Sequence, residues 1–176
     1  MPKLMIHIRP ERPEDIVSID GINRLAFGGE EEAKLIKAIR GSNYFLPELS
    51  LVAAETDRIV GHILFSPITV ESSGKSVNAL ALAPMAVVPE YQNKGVGTAL
   101  VKHGLAACKK LGYTIVIVVG HPEYYSRFGF TPATEYDLEA PFEVPDDAFL
   151  ALELLPGALK NVRGMVKYSP AFDSVL

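Results

Sequence analysis

The segment of this sequence with the clearest chemical meaning runs Ala86-Val87-Val88-Pro89-Glu90-Tyr91-Gln92-Asn93-Lys94-Gly95-Val96-Gly97-Thr98-Ala99-Leu100. An apolar run ends at Pro89, a short polar loop carries two glycines, and an amphipathic helix follows. Gly95 and Gly97 have no Cβ, so the backbone can turn sharply there and approach a ligand closely. The first turn of the helix offers unpaired N–H groups at its positive dipole end, so the segment predicts a binding site for a pyrophosphate.

Two familiar phosphate-binding patterns do not fit this loop. A nucleoside-triphosphate loop places a lysine after its second glycine, whereas Lys94 precedes both glycines. A dinucleotide loop needs a third glycine three residues after the second, and that position is Leu100. The loop therefore indicates a different phosphate-bearing ligand.

Through Gln92, Gly95 and Gly97 the loop resembles Gln/Arg-x-x-Gly-x-Gly/Ala, the pyrophosphate loop of GNAT-type N-acetyltransferases. The residues after Gly120 are similar to the Phe-Tyr-x-x-x-Gly-Phe segment of that family. Three segments also resemble a bacterial subgroup of predicted N-acetyltransferases: Leu82-Ala83-Pro84-Met85-Ala86-Val87, Tyr124-Tyr125-Ser126-Arg127-Phe128-Gly129-Phe130, and Phe149-Leu150-Ala151-Leu152-Glu153-Leu154 followed by Pro156-Gly157-Ala158-Leu159. The resemblance covers residues 6–172 and departs from the subgroup at His121, where an acidic residue is expected.

The resemblance implies an α/β (α+β) chain with the GNAT acyltransferase fold. We expect a central, mixed, twisted sheet of about six to seven strands, flanked by about four helices. The sheet is expected to be splayed between the strands before and after the Gly-loop helix. The hydrophobic pattern is compatible with the implied order β-α-α-β-β-β-α-β-α-β-β. Residues 1–176 are expected to form a single N-acetyltransferase domain with its core in residues 6–172.

Periodicity and turn residues give the expected bounds of the elements. Helices are predicted from Pro13 to the glycines at 28–29, over 31–40 and over 96–111, the last with one face formed by Val96, Leu100, His103, Ala107 and Leu111. Strands are predicted over 6–9, 49–55, 59–70, 78–88, 113–119, 149–154 and 164–168. The polar residues 71–76 are predicted as a loop, and Pro84 is predicted to mark a bulge where ladder pairing stops.

The resemblance also implies which residues hold the substrates. The residues expected to bind acetyl-coenzyme A, as a co-substrate, are Met85, Ala86, Val87, Gln92, Asn93, Lys94, Gly95, Val96, Gly97, Thr98, Tyr124 and Phe128. The N–H of Val87 or a neighbour is expected to face the thioester carbonyl and stabilise the oxyanion. Tyr125 is expected to be catalytic, as the proton donor to the leaving thiolate; the alternative is that it only packs against the coenzyme arm.

The general base is open at this stage. No carboxylate lies in residues 79–88, the strand where some acetyltransferases carry a glutamate. The candidates are Glu30, Glu31, Glu32, Glu123, His121 and a chain of water molecules. The first three also suit the N-terminus of a helix through its dipole. Arg127 is expected to pair either with the ribose phosphate of the coenzyme or with a surface acid.

The expected reaction moves an acetyl group to a primary amine of a small molecule or a protein by direct attack through a tetrahedral intermediate. Two alternatives remain: a non-catalytic acyl-coenzyme A sensor, and an acyltransferase that uses a longer thioester or a hydroxyl acceptor. The two N-terminal helices and residues 133–163 are expected to hold the acceptor. The second region contains acids that suit a cationic amine or simply form soluble surface, namely Asp137, Glu139, Glu143, Asp146 and Asp147.

The composition agrees with a compact cytoplasmic enzyme, and the resemblance implies that it is bacterial. The 176 residues carry a formal net charge of −4 without a Lys/Arg cluster, so no nucleic-acid partner is expected. Cys108 is the only cysteine; it is expected to be buried, and neither a disulfide within the chain nor a metal site is expected. No apolar run has transmembrane or signal-peptide length, so no membrane partner is expected. The chain is expected to be a monomer or a homodimer.

Overall fold

A computed structural model describes residues 5–175 of the chain. In chain order its elements are β1 (Ile6–Pro10), α1 (Ile16–Phe27), α2 (Glu31–Arg40), β2 (Ser50–Glu55), β3 (Arg58–Ser72), β4 (Lys75–Val87), α3 (Val96–Lys110), β5 (Ile115–Val119), α4 (Pro122–Tyr125), β6 (Thr131–Pro132), β7 (Leu138–Glu139), β8 (Phe149–Glu153) and β9 (Gly164–Lys167). Short 3₁₀ helices connect several of them. No helix within residues 5–175 is both long enough and apolar enough to span a membrane.

The strands form one mixed sheet in the order β1-β2-β3-β4-β5-β8-β6. Beyond the end of β2, β3 also pairs with β9, which in turn pairs with β7. The β4–β5 and β7–β9 pairs are parallel, and all other pairs are antiparallel. A parallel pair needs a crossover connection, and α3 supplies it between β4 and β5.

The predicted fold class and the predicted order of elements are confirmed. Seven of the strands have four residues or more, which matches the expected sheet, and four helices flank it. The two-residue strands β6 and β7 were not predicted, because two residues are too few to produce a recognisable alternation. Strand β6 pairs with β8 at the edge of the sheet, and β7 pairs with β9. Neither changes the order of the other strands.

The predicted loop over residues 71–76 is wrong. Strands β3 and β4 continue to a two-residue turn, with Glu71 opposite Ser76 and Ser72 opposite Lys75. The turn residues Ser73 and Gly74 have φ angles of 48° and 79°. Positive φ at both central residues is what a tight hairpin turn of type I′ requires, so polar residues continue the ladder to its end.

The face of α3 that packs on the sheet also differs from the prediction. Its buried residues are Val96, Leu100, Val101, Gly104 and Cys108. His103 and Leu111 are exposed instead. A Cβ at Gly104 would lie 2.3 Å from the Phe65 ring, so this glycine lets the helix approach the sheet closely. The prediction assigned the buried face from the larger side chains. It therefore missed Gly104, where the helix approaches the sheet closely.

Helices cover both faces of the sheet. On one face, Leu100 and Val101 of α3 pack with Ile63 and Phe65 of β3. On the other face, the apolar side of α2 packs with residues that include Leu64 and Ile68; the α2 residues are Leu35, Ile36 and Ile39, as their spacing predicts. The strand β5 contributes a buried run over 115–118, and Cys108 is buried as expected.

A buried polar cluster ties β1, α2, β2 and β3 together. Glu11 accepts hydrogen bonds from Arg40 at 3.0 Å (Nε) and 2.9 Å (Nη2), and from Ser50 Oγ. His62 Nε2 lies 3.0 Å from Ser50 Oγ, and the His62 side chain is fully buried. This burial, together with the nearby Arg40 charge, lowers the pKa of His62 to about 3. His62 is therefore neutral in the folded protein at physiological pH.

The sheet opens between β4 and β5. The two strands pair only at Leu80–Leu82 and Val116–Val118, although β4 continues to Val87. A bulge in β4 begins where this pairing ends: Ala83 and Pro84, joined by a cis peptide bond, together oppose Leu64 of β3. The predicted splay is confirmed, and Pro84 lies at its origin.

Candidate active site

The splay leads into a cleft of about 1360 Å³. Its walls come from the open edge of β4, the start of α3, and the end of β5 with α4. The end of α1, the start of α2 and two C-terminal segments complete the cleft. The fold thus brings together residues from one end of the chain to the other.

The open edge of β4 presents backbone groups to the cleft. The N–H of Val88 donates to Val60 of β3 at 2.9 Å. Successive N–H groups along a strand point to opposite edges, so the N–H groups of Val87 and Met85 point away from β3. The register agrees, because Val87 lies opposite Gly61 and the carbonyl of Val87 accepts from Gln92 Nε2 at 3.0 Å. Unpaired donors therefore line this wall at the positions expected for the oxyanion contact.

The loop before α3 has the geometry of an anion site. Asn93 and Gly95 have positive φ angles of 63° and 85°, which bring the chain sharply into the helix. The first bond inside the helix runs from the N–H of Ala99 to the carbonyl of Gly95 at 3.0 Å. No side chain caps the helix at this end. The N–H groups of its first turn are consequently free to bind a ligand, next to the positive end of the dipole.

Gly97 has a different function from the sharp turn that its sequence predicts. It lies inside the first turn of α3 and lines the cleft. A Cβ at this position would lie 2.6 Å from the hydroxyl oxygen of Tyr124. The absence of a side chain therefore lets α4 pack against the start of α3, while Gly95 alone makes the left-handed turn.

Arg127 adds a positive charge to this end of the cleft. Its guanidinium lies 4.6 Å from the centre of the Tyr124 ring, and Nη2 donates to Thr98 Oγ1 at 3.2 Å. Within residues 5–175 it forms no ion pair with an acid. Arg127 therefore does not pair with a surface acid, which was one of its two expected partners. Its guanidinium is available to an anionic ligand.

Tyr125 lines the cleft and packs against neighbouring aromatic rings. Its side chain is buried, with 9% of its surface exposed, and its ring makes edge contacts with Tyr124 and Phe130 at centroid distances of 5.0 and 5.6 Å. A Cβ at Gly120 would lie 2.5 Å from the same ring. Burial raises the pKa of the Tyr125 hydroxyl, so it is protonated at neutral pH and can act only as a hydrogen-bond or proton donor to a developing anion.

The base candidates divide into two groups. Glu31, Glu32, Glu123 and His121 line the cleft. Glu30 does not, and its carboxylate accepts from Arg24 Nε at 2.7 Å. The geometry therefore separates Glu30 from the others, although sequence position gave no reason to do so.

Most residues expected to bind the donor line the cleft, namely Met85, Ala86, Val87, Gln92, Asn93, Gly95, Gly97, Thr98 and Tyr124. The side chains of three others lie elsewhere. Lys94 Nζ lies 5.5 Å from the centre of the Tyr91 ring, Val96 is buried in the core, and Phe128 packs 5.5 Å from Tyr124.

Sequence reasoning missed the aromatic part of the cleft. Phe27, Phe142, Tyr168 and Phe172 line it, together with the acid Glu143. The other acids considered for the acceptor region do not line it, namely Asp137, Glu139, Asp146 and Asp147. Phe27, Phe142 and the pair Tyr168 and Phe172 are far apart in the sequence, so only the folded chain reveals that they line one cleft.

The splayed sheet, the Gly loop and the buried tyrosine define a class of acyl-transferring enzymes. Residues 7–133 match the acetyltransferase (GNAT) domain family. The chain belongs to this family and is an acetyltransferase.

Its relatives include proteins of known structure. The chain is 35% identical to the uncharacterized N-acetyltransferase YhbS of Escherichia coli strain K12 over 167 residues, which are 94% of this chain and 98% of YhbS. A crystal structure of E. coli YhbS in complex with CoA has a TM-score of 0.90 at 34% identity, covering 98% of this chain and 94% of that one. A GNAT acetyltransferase from Brucella melitensis in complex with acetyl-CoA has a TM-score of 0.79 at 30% identity, covering 97% and 99%.

Proposed function

We propose that this enzyme transfers the acetyl group of acetyl-coenzyme A to a primary amine by direct attack of the amine. The proposal depends on one observation: a single cleft combines the open β4 edge, the uncapped start of α3 and the Tyr125 hydroxyl group. The relatives crystallised with CoA and acetyl-CoA support this choice of donor. We treat residues 1–176 as one domain for this activity.

In the proposed complex, the pyrophosphate lies against the N–H groups at the start of α3, where Lys94 and Val96 contribute only backbone. Arg127 lies beside this site and supplies a charge of the right sign. The pantetheine arm extends along β4 and hydrogen-bonds to its open edge near Met85 and Val87, as an added strand does. Phe128 acts indirectly, by supporting the Tyr124 ring.

The reaction then needs one bond to form and one to break. The amine nitrogen attacks the carbonyl carbon of the thioester, a C–N bond forms, and the carbonyl oxygen becomes an oxyanion. The N–H of Val87 is the proposed donor to that oxygen, a contribution of about 3–4 kcal/mol when such a donor is well placed. Collapse of the intermediate breaks the C–S bond and releases CoA as its thiolate.

Two protons leave the amine nitrogen during this sequence. The amine must be neutral to attack, although an aliphatic ammonium has a pKa of about 10. We propose that Glu31, Glu32, Glu123, His121 or a water chain removes that proton. Once the C–N bond has formed, the nitrogen of the intermediate is cationic and loses a second proton, which replaces any that Tyr125 gives to the sulfur. Tyr125 donates to the sulfur as negative charge develops there. Burial raises the pKa of Tyr125, whereas a thiol has a pKa of about 8.5, so full proton transfer from the tyrosine to the sulfur is unfavourable. The hydrogen bond from Tyr125 to the sulfur in the transition state therefore provides most of the stabilisation of the leaving group.

Acetyl-CoA titration with a thiol-release assay tests the proposal. Calorimetry measures the affinity for acetyl-CoA, and a chromogenic thiol reagent follows release of CoA in the presence of polyamines, amino acids, aminoglycosides or peptides. We expect binding with one site per chain and release that requires an amine. Mass spectrometry of the product should show one added acetyl group on nitrogen.

Each other outcome selects a different function. Tight binding without release for any amine would indicate the non-catalytic sensor. Faster release from a longer acyl-CoA, or with hydroxyl acceptors, would indicate the wider acyltransferase. The absence of acetyl-CoA binding would contradict the proposed function entirely.

A further inference from the structure

The cleft extends past the β4–β5 opening into an acceptor chamber. We use this term for the part lined by Phe27, Glu31 and Glu32 from α1 and α2, and by Phe142, Glu143, Tyr168 and Phe172 from the C-terminal part. The helix α2 contacts the 3₁₀ helix Pro170–Phe172, which joins the two sides of the chamber. The chamber lies beyond the residues that hold the donor in the proposed function.

Negative charge dominates the acceptor chamber. Glu31, Glu32 and Glu143 form no ion pair and no side-chain hydrogen bond with any of residues 5–175. Among residues 5–175, the only cationic or titratable nitrogen side chains that line the cleft are Arg127, which lies at the Gly-loop end, and His121. No group of three or more His, Cys, Asp or Glu in the described part of the chain is arranged to hold a metal ion. The carboxylates are therefore separate charges without a partner in the fold.

An aromatic wall accompanies these charges. Phe142 and Tyr168 have ring centroids 5.6 Å apart, and Tyr168 and Phe172 have centroids 5.0 Å apart. Phe27 lines the same chamber and leaves 47% of its surface exposed. A flat apolar group would cover this surface, and a cation would be attracted to the faces of the rings.

We propose that the acceptor is a cationic amine attached to an aromatic or bulky apolar group, without a carboxylate near its nitrogen. This inference rests on the proposed function, because it assumes that the acceptor nitrogen reaches the thioester from the acceptor chamber. The carboxylates pair with the ammonium as it enters, and the aromatic wall receives the body of the molecule. An acceptor that carries a carboxylate next to its amine, such as a free amino acid, is disfavoured because the same three carboxylates repel that group.

A matched series of amines tests the acceptor class. With saturating acetyl-CoA, kcat/KM is measured for 2-phenylethylamine, for butylamine, which lacks the ring, and for phenylalanine, which adds a carboxylate next to the amine. We expect 2-phenylethylamine to exceed each of the others by at least about 10-fold. An equal or higher value for butylamine or phenylalanine overturns the inference and leaves the proposed function intact.

Binding variants test which residues are responsible. Calorimetry measures the Kd of 2-phenylethylamine for the enzyme saturated with CoA, so that no turnover is needed. We expect Glu31→Gln/Glu32→Gln/Glu143→Gln to raise this Kd by about 10-fold, and Phe142→Leu by about 3-fold. The control Glu48→Gln/Glu135→Gln/Glu139→Gln makes the same change in net charge at exposed residues outside the cleft, and should leave the Kd unchanged.

The two proposals fail in different ways. If no amine causes thiol release, the proposed function is wrong, while the calorimetric Kd still tests the chamber. Weaker binding of 2-phenylethylamine in the cleft variant but not in the control supports the chamber. Equal affinity in both variants, or no binding to the folded enzyme–CoA complex, overturns it.

Discussion

The two ends of the cleft are made of different parts of the protein. At the Gly-loop end the groups proposed to bind the donor are backbone N–H groups at the start of α3, together with Arg127. At the acceptor chamber they are side chains that come from the end of α1, the start of α2 and the C-terminal part of the chain. The backbone N–H groups at the Gly-loop end remain when a side chain is substituted. The charge and shape of the acceptor chamber, in contrast, change when one of its lining side chains is substituted.

The two ends also differ in charge. The helix dipole and Arg127 make the Gly-loop end positive, while three carboxylates that form no ion pair within residues 5–175 make the acceptor chamber negative. An enzyme that joins an anionic donor to a cationic acceptor needs this polarity, because each substrate is then attracted to its own end. Tyr125 and the open β4 edge line the same cleft, and under the proposed function the acetyl group is transferred there.

The largest expected effect is a reversal of charge at the Gly-loop end. Gly97→Glu places a carboxylate against the helix N-terminus, at a position where even a Cβ would lie 2.6 Å from the Tyr124 hydroxyl. We expect calorimetry to show that acetyl-CoA binding is lost. Gly21→Glu is a matched control, because a Cβ at Gly21 would meet no atom within 4 Å. Unchanged affinity in Gly97→Glu would refute the assignment of this end.

The next effect concerns Tyr125, which lines the same cleft. Tyr125→Phe keeps the ring contacts and removes the hydroxyl, so we expect kcat to fall by about 10- to 10⁴-fold with little change in the Kd of acetyl-CoA. Tyr44→Phe removes a hydroxyl from a residue that is 39% exposed and lies outside the cleft, and should have no effect. Equal rates for Tyr125→Phe and the wild type would leave Tyr125 with a packing role only.

A smaller effect tests how closely α4 and α3 pack at the Gly-loop end. Gly97→Ala should lower the free energy of unfolding by about 1–3 kcal/mol, because its Cβ overlaps the Tyr124 hydroxyl. Adding Tyr124→Phe removes that oxygen and should recover at least about half of the loss. Denaturant unfolding of the two single variants and the double variant measures the coupling. Additive losses would mean that the two residues do not constrain each other.

The prediction with the smallest effect on activity concerns stability. It involves His62 of the buried polar cluster, which lies outside both ends of the cleft. The pKa of His62 is about 3 in the folded chain, against an ordinary value of 6.5. The unfolded chain therefore binds a proton below about pH 6.5 that the folded chain does not. The free energy of unfolding should fall by about 2 kcal/mol between pH 7 and pH 5.

Two substitutions isolate this contribution. His62→Gln should remove the loss of stability between pH 7 and pH 5, and His103→Gln, at an exposed position, should retain it. Denaturant unfolding at a series of pH values measures both. An unchanged pH dependence in His62→Gln would mean that another group is responsible.

The sequence predicts the Gly-loop end of the cleft better than the acceptor chamber, for a physical reason. Gln92, Gly95 and Gly97 lie within six residues, so the turn and the helix start that they form are local and visible as a pattern. The splay was implied by the family resemblance, and Pro84 was predicted to mark it because proline cannot complete a ladder. In contrast, Phe27 and Phe172 line the same cleft although they come from α1 and from the C-terminal segment that packs on α2, an arrangement that no local pattern encodes.

Some local features were also beyond sequence reasoning. Gly104 carries the closest contact between α3 and the sheet, but a glycine in a helix has no apolar side chain to mark the buried face. The ion pair of Glu30 with Arg24 separates it from Glu31 and Glu32, which are its neighbours in sequence and identical in chemistry. In both cases the deciding quantity is a distance between residues that the sequence does not place together.

A crystal structure of the enzyme with CoA and 2-phenylethylamine would test the opposite polarity of the two ends most directly. We predict the pyrophosphate at the N–H groups of residues 96–98, and the amine within hydrogen-bond distance of Glu31, Glu32 or Glu143 with its ring against Phe142 or Phe172. The account is contradicted if the amine binds outside the acceptor chamber, or if the pyrophosphate lies away from the start of α3.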